Sequence, residues 1–234
     1  MNHIIFKDID IYFINLLFDH NEINLLKNIS ELNKKYNQII KEKLKDFYAF
    51  WNYISSIKYK FNIFAESCIF GNLNVVKFYK NKINDEKLDK YFYLSCEYGH
   101  LDIAKWLYTL NGKIKIHYGN EGPFRLSCEN GYLHIAQWIY SLDGEIYIHM
   151  YDDYAFRWSC KNGHLNIAQW LYSLDNKIDI HIGADWAFIK SCKYGHLSVV
   201  QWLYSLDGEI NIHANNDYAF KRSPQHILDW LLSL

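Results

Sequence analysis

Ser159-Cys160-Lys161-Asn162-Gly163-His164-Leu165-Asn166-Ile167-Ala168-Gln169-Trp170-Leu171-Tyr172 is the stretch that decides the fold, because the same phrase returns throughout the chain. It starts again at Ser95, Ser127 and Ser191, always 32 residues from its neighbour, and a looser copy begins at Ser67. A period in this range marks a stack of two-element units, none of which can bury its apolar face alone. An extended binding surface is the default function of such a stack.

Within one period, a carboxylate precedes the first apolar run, at Asp89, Glu121, Asp153, Asp185 and Asp217. That recurrence predicts a helix N-cap or first-turn residue that accepts orphan N–H groups and opposes the positive end of the helix dipole. Pro123 then falls early in its helix, where a missing N–H costs little. Phe124, Phe156, Phe188 and Phe220 stand four residues before the cysteine slot and form an apolar edge, while the small Ser-Cys pair lets backbones approach closely. Gly71, Gly99, Gly131, Gly163 and Gly195 predict a left-handed end to this first helix. A second helix follows, with Leu165, Ile167, Ala168, Leu171 and Leu174 as its apolar stripe and Gln169 and Ser173 wet. It is expected to stop at Asn111-Gly112, Asp143-Gly144, Asp175-Asn176 and Asp207-Gly208. The segments ending at His117, His149, His181 and His213 read Ile-x-Ile-His, two Ile on one side of a short hairpin or β-turn arm.

Helix, Gly-His turn, helix and arm together resemble the ankyrin repeat. Gly163-His164-Leu165-Asn166-Ile167-Ala168-Gln169-Trp170-Leu171 is similar to that family's Gly-His-Leu-Glu-Ile-Val-Lys-Leu-Leu, Gly122-Pro123-Phe124 to its Thr-Pro-Leu, and Ser-Cys to its Ala-Ala. The resemblance implies an all-α ankyrin solenoid that binds protein. The unit is 32 residues, against about 33 in the family. The family's His after Thr-Pro-Leu is replaced by Arg125, Arg157 or Ile189, which predicts that its hydrogen bond to the turn is lost. The Ser-Cys…Gln-Trp-Leu-Tyr-Ser-Leu wording is most similar to the large ankyrin families of giant DNA viruses of amoebae. A composition rich in Ile, Asn, Lys and Tyr, all with AT-rich codons, agrees with that.

The repeats are expected over 60–234, in units 60–87, 88–119, 120–151, 152–183, 184–215 and a truncated 216–234, where Pro224 takes the cysteine slot and kinks or ends the first helix. Residues 1–59 carry no such period and read as a helical module. Ile5-Phe6-Lys7-Asp8-Ile9, Ile14-Asn15-Leu16-Leu17-Phe18 and the runs to Ile40 resemble a degenerate F-box without its Leu-Pro start. That resemblance implies docking to a ubiquitin-ligase core, which would make the chain a substrate receptor. The alternative is a plain helical cap over Phe61, Phe64 and Phe78.

Composition narrows the function classes. With 25 Lys and Arg against 26 Asp and Glu, net charge is −1, so no global field favours nucleic acid or anionic lipid. Half the residues are hydrophobic and only two are Pro, which suits a helical core. The most apolar early run, Ile11 to Phe18, is short and lacks a basic leader, so the expectation is an intracellular protein, in the host cytoplasm if viral. Stacked helices lie about 8–10 Å apart, beyond the roughly 7 Å Cα reach of a disulfide, so the cysteines read as reduced and buried. The same spacing keeps the histidine ladders (His117, His149, His181, His213 and His100, His164, His196) from sharing a metal. Trp106, Trp138, Trp170, Trp202 and Trp230 read as inter-repeat packing. No catalytic, cofactor or metal residues are assigned, and the chain is not read as an enzyme.

Binding residues are sought where internal copies disagree. One zone is the turn tips, including Met150 and Tyr151. The other is the outer face of the first helix, at Tyr93, Arg125, Arg157, Ile189 and Lys221, with Glu97, Glu129, Lys161 and Lys193 four residues on. Arg125, Glu129, Met150, Tyr151, Arg157, Lys161, Ile189 and Lys193 are the expected partner-binding set, exposed in a groove that runs from acidic to basic. Arg and Tyr are favoured anchors, although drift at solvated positions yields the same pattern. The expected partner is a host or viral protein, joined by ubiquitin-ligase components where the F-box resemblance holds, bound by a monomer that takes neither nucleic acid nor membrane.

Overall fold

The computed structural model describes residues 63–78, 85–110, 114–143, 145–175, 177–206 and 209–234. The chain divides into two compact units, Met1–Ile83 and Asn84–Leu234. In the first, helices Ile63–Phe70 and Leu73–Phe78 pack on one another across Gly71, with Phe64, Cys68 and Val76 buried. The F-box-like segment and the alternative helical cap lie outside the described residues.

Among its described residues the second unit is all-α, with no strand. Its helices come in pairs: Leu88–Glu97 with Leu101–Thr109, Tyr118–Glu129 with Leu133–Asp143, Met150–Lys161 with Leu165–Leu174, Ile182–Tyr194 with Leu197–Leu206, and Ala214–Arg222 with Gln225–Leu231. Consecutive first helices of this unit pack on one another, and in the first four pairs each packs on its own second helix.

Small and aromatic side chains make this stacking possible. Phe92, Phe124, Phe156 and Phe188 are fully buried, as are all the cysteines of this unit. The Ser159 hydroxyl has two carbonyls in reach of its one proton, Ala155 at 2.7 Å and Cys128 of the preceding repeat at 3.1 Å. Ser127 and Ser191 repeat the arrangement. Tryptophans of the second helices lean back one repeat: Trp170 meets Tyr140 edge-on at 5.8 Å and Phe124 at 6.1 Å, and Trp138 and Trp202 do the same with their neighbours.

The first helices close as the glycines predict. At Gly163, φ is 79°, and the His164 and Gly163 amides return to Ser159 and Cys160 at 2.9 and 3.1 Å, a Schellman closure. A Cβ there would lie 2.5 Å from the His196 ring, so glycine is required by conformation and by contact. The expected second-helix stops fall largely outside the described residues. The Ile-x-Ile-His arms bury Ile146, Ile148, Ile178 and Ile180 but are β-turns, closed by Met150 N–H to Tyr147 O at 3.2 Å in one copy. Ser223, extended at ψ 149°, ends the last first helix before Pro224, as a proline there requires.

Candidate functional site

The connection from arm to first helix departs from the sequence expectation. Glu121, Asp153, Asp185 and Asp217 do not cap a helix. Each is the third of three consecutive left-handed residues, such as Tyr151, Asp152 and Asp153 at φ 55°, 54° and 56°. Such a conformation costs roughly 1–2 kcal/mol per non-glycine residue, so the Tyr151-Asp152-Asp153 finger needs several strong interactions to hold it.

The carboxylate supplies two of them. Asp153, 3% exposed, sits 2.5 Å from the His149 ring Nδ1, four residues earlier, and accepts the Asp179 N–H of the next arm at 3.4 Å. Glu121 with His117 and Tyr147, and Asp185 with His181 and Asn211, are built alike. Asp89 accepts the Lys115 N–H at 2.8 Å. These carboxylates tie one repeat to the next. Burial pulls the His149 pKa down, but its hydrogen bonds to Asp153 and Asp175 outweigh this and raise it overall.

The helix-face cation supplies the rest, and this corrects the reading that the bond to the turn is lost. Arg157 donates from Nε to Asp152 O at 2.6 Å and from Nη2 to Tyr151 O at 2.9 Å. Arg125 reaches Asn120 O and Gly119 O in the same way, and Lys221 reaches Asn216 O. A planar fork matches two successive carbonyls, which an ammonium cannot do. Ile189 has no donor, and its finger begins with Gly183, which adopts φ 67° without strain.

The arginines also start a surface track of stacked rings and cations. The Arg125 guanidinium lies 4.8 Å from the ring centroids of both Tyr151 and Tyr154, and Tyr154 stacks on Trp158 at 5.1 Å. Trp158 meets Trp186 at 5.7 Å, with Arg157 over Trp186 at 5.3 Å and the Lys161 ammonium 3.4 Å above Trp158. Lys190 continues the track over Trp186 and Tyr218, and Lys193 lies over Tyr194. At the other end Tyr93 and Tyr118 meet edge-on and line a shallow groove with Lys90 and Leu94.

Charge reverses along this track. At the first end burial, then the charge of Glu129, raises the Glu97 carboxyl. Burial and a 2.6 Å hydrogen bond donated to Glu129 push the Tyr154 phenol up. At the far end a hydrogen bond with Lys193, and the fields of Lys190 and Arg222, lower the Tyr218 phenol.

Of the expected binding set, Tyr151 is exposed at the finger tip and takes a hydrogen bond from Asn120. Glu129, Met150, Lys161 and Lys193 are half-exposed, and Glu129, Lys161 and Lys193 lie on the track. Arg125 and Arg157 are half-buried and already engaged. Ile189 corrects the expectation of exposure: only 3% of it is accessible. Sequence reasoning missed Tyr154, Trp158, Trp186, Lys190 and Tyr218. The signal was present, since copies also disagree one residue after the carboxylate (Lys90, Gly122, Tyr154, Trp186, Tyr218) and five after it (Leu94, Leu126, Trp158, Lys190, Arg222).

All five cysteines are free and buried; burial pushes the Cys192 thiol up to about 12 and raises Cys96, Cys128 and Cys160 as well. Among the described residues no group of three His, Cys, Asp or Glu is placed to hold a metal, and no helix is long and apolar enough to cross a membrane. The chain matches no family model, and no curated protein matches it significantly.

Proposed function

We propose that this chain is an ankyrin-type solenoid that binds another protein along the face built by its first helices and fingers. The observation that carries the reading is the aromatic–cation track, where rings that a monomer usually hides stand half-buried or exposed. Tyr151 is 52% and Tyr194 49% accessible. Large rings with two torsions and neighbouring cations are the side chains that anchor interfaces at low entropic cost. The stacked 32-residue helix pairs, closed by Gly-His turns and β-turn arms, support the family reading. The role is recognition rather than catalysis, by a monomer inside the cell, with a host or viral protein as partner.

Capture from an amoebal lysate on the immobilised chain tests this. A protein held by the wild type and by Gln137→Ala/Gln169→Ala, whose side chains are exposed on second helices, should be lost by Trp158→Ala/Lys161→Ala. Loss with the glutamine pair alone, or equal loss with both, would put recognition on another surface.

A further inference from the structure

One column of the track is sorted by charge, beside Lys90 and Arg125 at its acidic end. Glu97 and Glu129 occupy the same register position as Lys161 and Lys193, so the sign changes once, between the repeats carrying Glu129 and Lys161. Among the described residues, no carboxylate lies within ion-pair distance of Lys161, Lys190, Lys193, Lys221 or Arg222. Lys161, Lys190 and Lys193 instead sit over rings, and Lys221 donates to Asn216 O, so none of these charges is neutralised by a carboxylate. The chain as a whole is nearly neutral, so this polarity belongs to the face and not to the protein.

Resting on the binding face proposed above, we infer that its occupant is an extended, charge-segregated peptide segment of a partner protein. Its acidic residues would meet Lys161 and Lys193, and a basic residue would meet Glu97 and Glu129. Register positions one repeat apart are about 10 Å apart, and an extended chain rises about 3.3 Å per residue. Acidic side chains about three residues apart therefore match Lys161 and Lys193, with the basic residue some three to six residues further along. Trp158 and Trp186, in contact with one another beside the two lysines, offer ring edges to an apolar residue between the acidic side chains. A single-stranded nucleic acid could use the same rings and lysines, but its phosphates would then run onto Glu97 and Glu129. Like charges placed together cost binding free energy, so the peptide is favoured.

Selection of a random displayed-peptide library of roughly twelve residues, long enough to cross three to four repeats, on the full chain tests this. Selected peptides should carry acidic residues about three apart at one end and Lys or Arg at the other. A synthetic peptide from that set should bind by fluorescence anisotropy about tenfold tighter than a composition-matched peptide with alternating charges. The preference should vanish in Lys161→Glu/Lys193→Glu, which alters half-exposed register positions and leaves the finger ties intact. Selection without charge segregation, equal binding of the two peptides, or a preference that survives the charge reversal would overturn the inference. So would tighter binding of an oligothymidylate than of the selected peptide. If the lysate partner still depends on Trp158 while no segregated peptide emerges, the face is a protein-binding site and only its assigned occupant is wrong.

Discussion

Asp153→Ala offers the sharpest test of how the repeats hold together, because the array contains its own control in Asp217. Both residues are left-handed and both hydrogen-bond the histidine four residues before them, at 2.5 and 2.8 Å. Only Asp153 also accepts an N–H from a following arm, and only Asp153 is buried; the Asp217 side chain is 49% exposed. Removing Asp153 takes the partner from the part-buried Asp179 N–H and from His149 Nδ1, while His149 Nε2 keeps Asp175, at about 1–3 kcal/mol for the two together. An alanine at positive φ adds about 1 kcal/mol at either site. The expected loss is about 3 kcal/mol for Asp153→Ala, against about 1 kcal/mol for Asp217→Ala, where an exposed pair contributes little. Urea unfolding followed by far-UV circular dichroism measures both. Asp153→Ala should also broaden the transition, because the missing tie belongs to the interface between neighbouring repeats. Equal losses from the two variants would refute the view that the carboxylate joins repeats rather than only shaping its own finger.

Arg157→Ala should cost about 1 kcal/mol through its finger carbonyls, and Arg157→Lys should restore part of it, as Lys221 does with one bond; an unchanged midpoint in the alanine variant would remove the finger role. Trp170→Ala should cost about 2–3 kcal/mol, below the range for a fully buried ring because this one is partly exposed; a silent substitution would contradict the edge-on contact with Tyr140. The histidines predict opposite pH responses. Burial lowers the pKa of His164 below its ordinary 6.5, so the unfolded chain takes up that proton first and stability falls on acidification. His164→Tyr, the residue already present at Tyr132, should reduce this acid loss. His149, raised overall, stabilises below its unfolded pKa and loses that contribution as pH rises through its folded value, so His149→Gln should flatten the alkaline side. Native protein should react slowly with a bulky thiol reagent and show five thiols on denaturation; fewer than five would reveal bridging or modification.

The helix pairs were legible in the sequence because their residues answer to one local demand each. Gly163 must be left-handed, Ser159 and Cys160 must be small, and Phe156 must face inward, so four copies repeat them. The fingers were not legible for the opposite reason. A carboxylate before an apolar run is what a helix cap needs, and it is also what an inter-repeat tie needs; spacing cannot separate the two. Nothing in Tyr151-Asp152-Asp153 announces three left-handed residues, since the stabilising groups, Arg157 and the Asp179 amide, lie up to one repeat away. The face was half legible: Lys161 and Lys193 were found by disagreement between copies. Trp158 and Trp186 were passed over because their two columns, one and five residues after the carboxylate, were left out of the comparison between copies. Ile189 failed because a register position does not guarantee the same burial when its neighbours change from Gly122 to Trp186.

The carboxylate ties have a constant reach: Asp89 to Lys115, Glu121 to Tyr147, Asp153 to Asp179 and Asp185 to Asn211 each span 26 residues. A constant reach means that the array has no privileged origin. Recombination between neighbouring codons among Cys96, Cys128, Cys160 and Cys192 would remove or add one whole unit of 32 residues, and every remaining carboxylate would find an amide at its usual distance. The gene can therefore lengthen or shorten in steps of one repeat without re-evolving an interface. Each step moves the boundary between Glu129 and Lys161 relative to the chain ends, so specificity can change by unequal crossing-over faster than by substitution.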